Sequence, residues 1–419
     1  MAQQIALALR RRASALKARM RFELALRRMP DAAPTSKIQL AVITGELEVG
    51  GVGRVLLNII KDLPRDRYDI TIFTTDPRLN NWAPEFAKHV SAIVDIPLLI
   101  GRTLPQERVQ QYLAHYLARQ RADIIFITNS VAGYHALSAI KTTGASARAA
   151  VFDLIHTHGR PQDNDAFLKI SHPFDAYITK RIVISNYLRD YFCTKYDVNP
   201  DKVRVLYNGV DTAVLQSNPD QTHGRAILGL QDETQAISYV GRLQSDKSPG
   251  RLIELAARLE PLLSKTHTHI AIVGEGELEP ELRARASELG VLDTQVRFYP
   301  FTDTPLDVFA ASKFTIITSD LEGIPMSALE SMYAHAPVIA PAVGGLPEII
   351  SDGSDGFLAS FADPDENTRL ANLSAAIERA LSLDDTAYSA MQQAAHQKIL
   401  DRFSTMGSQY LELFDSSQS

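Results

Sequence analysis

Short apolar runs rich in Val, Ile and Phe alternate along most of this chain with longer stretches whose apolar residues recur at helical spacing. IQLAVIT at Ile38–Thr44 precedes a helical pattern over Val52–Leu63, and YDITIFTT, ADIIFIT, AAVFDLIH and RIVIS continue the series to Ser185. Continuous apolar runs separated by amphipathic stretches predict stacked βαβ units with a parallel sheet. The pattern restarts after about residue 233 with AISYVG, Arg251–Leu259, HIAIVG, Glu279–Leu289, QVRFYP, FTIITS and PVIAP. Between the two series, Asp211–Glu233 is enriched in Asn, Pro, Gly and Gln, as a linker would be. The expected class is therefore α/β, with two Rossmann-like, doubly wound domains. The division follows: an extension at 1–36, domains at 37–212 and 213–387, and a last helical stretch at 388–419.

Size agrees, since 419 residues exceed one compact core and fit two ordinary domains plus a tail. A net charge of −6 argues against a nucleic-acid partner, which requires an excess of cations. Cys193 is the only cysteine, so no internal disulfide can form and a reducing compartment is expected. No run approaches the ~18 apolar residues of a membrane span, and the N-terminus lacks the apolar core of a secretory signal. The expected location is the cytoplasm or the inner surface of the plasma membrane. Cations gather at one end, where residues 1–30 hold eight Arg or Lys and one Glu. Ile5, Leu9, Ala13, Leu16, Met20 and Leu24 form an apolar stripe beside that basic face, as in an interfacial helix on an anionic membrane. A helix packed on its own domain, a partner-binding helix and a disordered tail compete with that reading.

The residues with chemistry to offer collect where strands end. Phe314–Ser319 reads as a buried strand and Met326–Ala336 as a helix, so Glu322 falls in the loop between them and Glu330 about one turn into the helix. Ligands of open α/β sheets bind at the carboxyl ends of strands. Glu322 can there meet a sugar and Glu330 a ribose, while amides around Ser327, Ala328 and Leu329 suit a diphosphate. Arg242 and Lys247 follow AISYVG in a loop that closes at Pro249-Gly250. Two fixed cations at strand ends stabilise the charge that grows on a departing diphosphate, although a loop Arg and Lys can equally be solvated surface charge. Gly50, Gly51 and Gly53, between the first strand and the first helix, allow close backbone approach. A dinucleotide fingerprint read from Gly51 fails at Leu56, which removes a dehydrogenase. His156 ends AAVFDLIH, with His158 on the same face of an extended chain; a histidine at a strand end is more often structural than catalytic. Asp363-Pro364-Asp365 has the spacing of a metal-binding pair but lies in a polar loop and reads as a solvated turn.

Glu322 and Glu330 with seven residues between them, APVIA at Ala336–Ala340 and GGLPE at Gly344–Glu348 together resemble the motifs of retaining glycosyltransferases of the GT-B fold, family four. GGVGR at Gly50–Arg54, VLYNGVD at Val205–Asp211 and YVGRLQSDKSPG at Tyr239–Gly250 extend the resemblance, which runs from about Ile38 to Phe414. It implies an N-terminal acceptor domain facing a C-terminal nucleotide-sugar domain across a cleft, with the last helix crossing back. It implies Arg242, Lys247, Glu322 and His156 (or His158) as catalytic groups. Gly51, Gly53, Gly274, Ile324, Pro325, Met326, Ser327, Ala328, Leu329 and Glu330 are implied as donor-binding. The implied activity is a retaining hexosyl- or N-acetylhexosaminyltransferase that needs no metal and no cofactor. Its donor would be a nucleotide-sugar, a UDP-sugar, and its acceptor a glycan or lipid-linked molecule in bacterial surface or secreted polysaccharide synthesis. Double displacement needs two carboxylates about 5 Å apart. No second one can be identified, and the resemblance implies front-face transfer with Glu322 orienting hydroxyls. The alternatives are another GT-B enzyme, such as a nucleotide-sugar epimerase, and an inactive homologue acting as a scaffold. A phosphorylase would require a pyridoxal-phosphate lysine that is not recognisable. The intact set Arg242, Lys247, Glu322 and Glu330 speaks against the scaffold.

Overall fold

The computed structural model describes residues 20–29, 35–78, 80–101, 105–142, 144–157, 166–210, 212–216 and 218–418. Their strands form two sheets, and every pairing between strands is parallel. The chain divides into two units, one of Met1–Ile184, Arg189–Leu206 and Gly407–Ser419, the other of Ser185–Leu188 and Tyr207–Met406.

In the first unit β1 (Ile38–Thr44), β2 (Tyr68–Thr74), β3 (Ala92–Asp95), β4 (Ile124–Thr128), β5 (Ala150–Ile155), β6 (Lys180–Val183) and β7 (Val203–Val205) lie in the order β3-β2-β1-β4-β5-β6-β7. β4 is buried along its whole length, the outcome expected of a continuous apolar run with helices on both faces. Two charges break the rule. Asp153 and Arg181 stand opposite each other on β5 and β6, fully buried, and Arg181 also donates to Ser171 Oγ and Asp175 Oδ1, both at 3.0 Å. Buried charges persist where they are paired and hydrogen-bonded in this way.

The second unit repeats the plan with β8 (Gln235–Val240), β9 (Thr268–Val273), β10 (Val296–Tyr299), β11 (Phe314–Ile316), β12 (Val338–Pro341) and β13 (Gly356–Ala359), ordered β10-β9-β8-β11-β12-β13. Strand order reverses between β1 and β4 in the first unit and between β8 and β11 in the second. Ligands of such sheets bind at the carboxyl ends of the strands that flank the reversal.

Three strands escaped the sequence pattern: β3 and β7, short pieces at the two edges of the first sheet, and β13, which begins on a glycine. The domain limits also move. The change of unit falls at Leu206/Tyr207 rather than at residue 212, because VLYNGVD carries the chain straight out of β7. Helices Thr212–Leu215 and Gln221–Ile227 occupy much of the expected linker. The last helical stretch is two helices, Asp385–Arg402 and Met406–Ser416, and the first stays with the second unit. Gly407–Ser419 joins the first unit, where Phe414 packs edge-on against Phe126 at 5.5 Å and tilted on Phe152 at 5.4 Å.

Of the basic extension, residues 1–19 lie outside the described residues and 20–27 form a helix. Its buried face is not the expected stripe. Phe22 and Met29 enter the core of the first unit with Ala25 and Leu26 packed beside them, whereas Met20 and Leu24 are exposed. The spacing 22, 25, 26, 29 is itself helical, so two apolar stripes coexist and the shorter one packs on its own domain. No helix among the described residues is long and apolar enough to cross a membrane.

Candidate active site

At the reversal point of the second unit, Lys247 and Glu322 meet. Lys247 lies in the 3-10 turn Ser245–Lys247 after β8, Glu322 in the loop after β11, and Lys247 Nζ donates to Glu322 Oε1 at 2.8 Å. Ser319 Oγ donates to the same oxygen at 2.6 Å, and Thr318 Oγ1 holds the Lys247 carbonyl at 2.9 Å. Glu322 is buried, so its charge is carried by these donors rather than by water. Arg242, from the same loop as Lys247, is exposed and pairs with Asp246 at 3.1 Å and with Gln244. The two expected cations therefore differ: one is fixed on Glu322 and the other rests on its own loop.

Glycines close the loop ends. A Cβ on Gly274, which has φ +143°, would lie 2.0 Å from the Gly241 carbonyl, and one on Gly276 2.3 Å from that of Leu243. Only glycine lets the turn after β9 approach the Arg242 loop so closely.

The helix Met326–Tyr333 starts directly after the Glu322 loop, with Pro325 as N-cap. The amides of Ala328 and Leu329 already donate to the Pro325 carbonyl, at 3.1 and 3.4 Å. The Leu329 bond is the ordinary i→i−4 bond of a helix that starts here and the Ala328 bond an i→i−3 one, so two of the three amides expected to be unpaired already have a backbone acceptor. Glu330 is buried one turn further on, and Ile324 and Pro325 form the entry to the helix.

Sequence reasoning missed Arg251, which it read only as the start of a helix. Arg251 is buried and donates to the Thr318 carbonyl at 2.6 Å, to Asp320 at 2.7 Å and to both oxygens of Glu366, fixing the loop that leads to Glu322. The available signal was an arginine on the apolar face of the strongly amphipathic helix Gly250–Arg258. Asp363 and Asp365 act within their own turn: Asp365 caps the helix Glu366–Leu381 by accepting from the Thr368 amide at 2.8 Å. No group of three His, Cys, Asp or Glu side chains among the described residues could hold a metal ion.

In the first unit, Gly51 and Gly53 begin the helix Gly51–Lys61 after β1. A Cβ on Gly53 would lie 2.3 Å from the Glu48 carbonyl, while at Gly51 the space is open. His156 follows β5 and is buried, with Nε2 3.2 Å from Thr128 Oγ1 at the end of β4. Burial holds it down to about 4, so it is neutral near pH 7. His158 lies outside the described residues. Cys193 is half-buried, and burial pushes its thiol up, away from thiolate reactivity. A cavity of about 910 Å³ lined by Glu233, Ser264, His267, Thr294 and Arg297 opens at the amino ends of β8, β9 and β10. It lies at the opposite edge of the sheet from Lys247 and Glu322, where ligands of this architecture do not usually bind.

Residues 220–398 match the family described as Glycosyl transferases group 1, and residues 49–214 match Glycosyltransferase Family 4. A D-inositol 3-phosphate glycosyltransferase of Acidothermus cellulolyticus is 34% identical over 177 residues, 40% of this chain and 39% of that protein. One from Thermomonospora curvata is 36% identical over 186 residues, 40% of this chain and 42% of that protein. The chain thus spans about two fifths of the curated relatives it matches. In fold, it resembles HepE of Anabaena in complex with UDP and glucose, with a TM-score of 0.73, 20% identity, and coverage of 90% of this chain and 100% of the other. A mutant TarM of S. aureus in complex with fondaparinux, alpha-GlcNAc-glycerol and UDP gives a TM-score of 0.67 at 14% identity, over 91% and 100%.

Proposed function

The chain belongs to the GT-B glycosyltransferases, with a family 4 region at 49–214 and a group 1 region at 220–398, and from that premise we propose that it transfers a hexosyl or N-acetylhexosaminyl group from a UDP-sugar with retention of configuration. The observation that carries the reading is the contact of Lys247 with Glu322 at the reversal point of the second sheet, just ahead of the helix that bears Glu330. Glu330 receives the ribose, Ser327 and its neighbours the diphosphate, and Glu322 the sugar hydroxyls. The anomeric C–O bond breaks with its electron pair leaving on the diphosphate, whose charge Arg242 and Lys247 stabilise. The acceptor hydroxyl bonds to the same face of the anomeric carbon, and its proton passes to the departing phosphate oxygen. His156, neutral, serves as a hydrogen-bond partner for a sugar hydroxyl. No step requires a metal ion. UDP and UDP-glucose complexes of HepE, a protein of the same fold, support the donor class. The acceptor is a glycan or lipid-linked molecule of bacterial surface polysaccharide synthesis, met in the cytoplasm at the inner membrane surface.

Screening nucleotide-sugars by thermal shift, with NMR of the first product formed, tests the proposal. An α-linked product from an α-linked donor, with turnover that survives EDTA, is the expected result. A β product would overturn retention, and loss of turnover on chelation would overturn metal independence.

A further inference from the structure

On the side of the second unit, the chain crosses between the two units at Ser185–Leu188, at Tyr207 and at Met406. Two of these crossings converge on one carboxylate. Glu348 Oε2 accepts from the Asn186 amide at 2.9 Å, from Asn186 Nδ2 at 3.0 Å and from the Tyr207 hydroxyl at 2.7 Å, and Oε1 accepts from the Tyr187 amide at 2.7 Å. The third crossing is tied to the same place. Tyr207 packs edge-on against Phe403, with ring centroids 5.6 Å apart, and the Phe403 carbonyl accepts from the Val210 amide at 3.0 Å. A Cβ on Gly209 would come within 2.4 Å of that carbonyl, so only glycine fits there.

The residues that make this junction also grip the Glu322 loop. At the N-cap of the short helix Leu346–Ile349, the Gly345 amide donates to the Glu322 carbonyl at 3.2 Å, and a Cβ on Gly344, at φ +55°, would lie 1.8 Å from that oxygen. From the other side Asn208, which is buried, donates Nδ2 to the Ile324 carbonyl at 2.8 Å. The carbonyls on either side of Gly323 are thus held from outside the loop, one by the turn that carries Glu348 and one by the neighbour of Tyr207. A carboxylate suits the hub because it is acceptor-only and can take four donors at once, whereas an amide would turn N–H groups toward them.

We propose that Glu348 and Asn208 are positioning residues for the donor sugar, fixing the Glu322–Pro325 loop to the chain crossings at 185–188 and 207–210. The proposal rests on the glycosyltransferase reading of Glu322. Glu330 lies on the helix Met326–Tyr333, outside the loop that these two residues grip, so nucleotide binding and sugar binding are expected to separate.

The test uses the full chain with Glu348→Gln, Asn208→Asp and, as a milder change at the hub, Tyr207→Phe. Hydrogen exchange of the unliganded protein should accelerate at residues 320–326 by about tenfold, the size of one lost hydrogen bond to a charged group. Calorimetry with UDP and with UDP-glucose should show UDP affinity unchanged and UDP-glucose weakened by about tenfold. Unchanged exchange at 320–326, or a parallel loss of UDP and UDP-glucose, would overturn the proposal. If the wild type binds neither probe, the donor reading falls, while the exchange result still decides whether Glu348 and Asn208 hold the loop.

Discussion

Lys247 and Arg242 share a loop but not a situation, and the difference is measurable. Lys247 neutralises the buried Glu322, whereas Arg242 is exposed and, among the described residues, pairs with Asp246 and Gln244 of its own loop. Either change to Ala should lower turnover by about two to three decades, the loss seen when one charge-stabilising donor is removed. Lys247→Ala should in addition lower stability by about 1–3 kcal/mol, because it strips a donor from a buried carboxylate. Arg242→Ala should leave urea midpoints where they are, and equal destabilisation by both would contradict the contrast. His156 makes a prediction in pH. Its native value is held down to about 4, from an ordinary 6.5. Between those values the unfolded chain binds a proton that the native chain refuses, so stability is complete above pH 6.5, falls toward pH 4 and then levels. The whole drop is about 3 kcal/mol. His156→Gln should flatten that slope relative to wild type, followed through Trp82, the only tryptophan and a residue of the same unit. Matching slopes would place a proton on native His156. At this scale the sequence placed Arg242, Lys247 and Glu322 in the loops that follow β8 and β11, where the structure has them, because such placement is set locally by the end of a strand. It did not disclose Arg251, Asn208 and Glu348, whose partners lie 115, 116 and 162 residues away.

Among the elements, the helix Met326–Tyr333 joins the expected sugar, phosphate and ribose contacts, and its first turn is the part the sequence misjudged. Residue type and period set the helix, while the amides of Ala328 and Leu329 are engaged by the carbonyl of Pro325, its N-cap. Such end geometry is the least legible feature of a helix. Strands show the same division. Continuous apolar runs such as β1, β4 and β9 matched their expected positions, since burial on both faces leaves little choice of residue. β3 and β7 are edge strands of four and three residues, too short for a periodic signal. Glu330 tests the helix as a ligand-bearing element. A carboxylate taking both ribose hydroxyls makes charge-assisted hydrogen bonds of about 1.5–3 kcal/mol, so Glu330→Ala should weaken UDP by about one to two decades. Calorimetry on a folded variant decides it, and unchanged UDP affinity would remove the ribose from Glu330.

For the molecule as a whole, the restart of the βα pattern made two units legible, while their limits were hidden where the chain crosses without a break in pattern, as in VLYNGVD after β7. The charge distribution carries the remaining argument. A chain of net charge −6 concentrates eight cations and one acid in residues 1–30. In the first unit the helix over 20–27 and the helix Ile96–Ile100 contribute Phe22, Ile96 and Ile100 to one core, and both leave apolar side chains in solvent: Met20 64%, Leu24 46%, Leu98 63% and Leu99 48% exposed. Arg21, Arg27 and Arg28 are exposed beside the first pair. We propose that these exposed side chains rest on anionic lipid, where each cation near the surface contributes about 1 kcal/mol. A chain shortened to begin at Ser36 is a poor test, because it would also uncover the core at Phe22 and Met29. Met20→Glu with Leu24→Glu, and separately Leu98→Glu with Leu99→Glu, alter only exposed positions. In co-sedimentation with neutral and anionic vesicles across a salt series, wild type should bind the anionic ones, losing the ionic share as salt rises and keeping an apolar remainder. The variants should lose that remainder first. Wild-type binding that is absent, or that is indifferent to both pairs of substitutions, would assign these exposed apolar side chains to something other than a membrane.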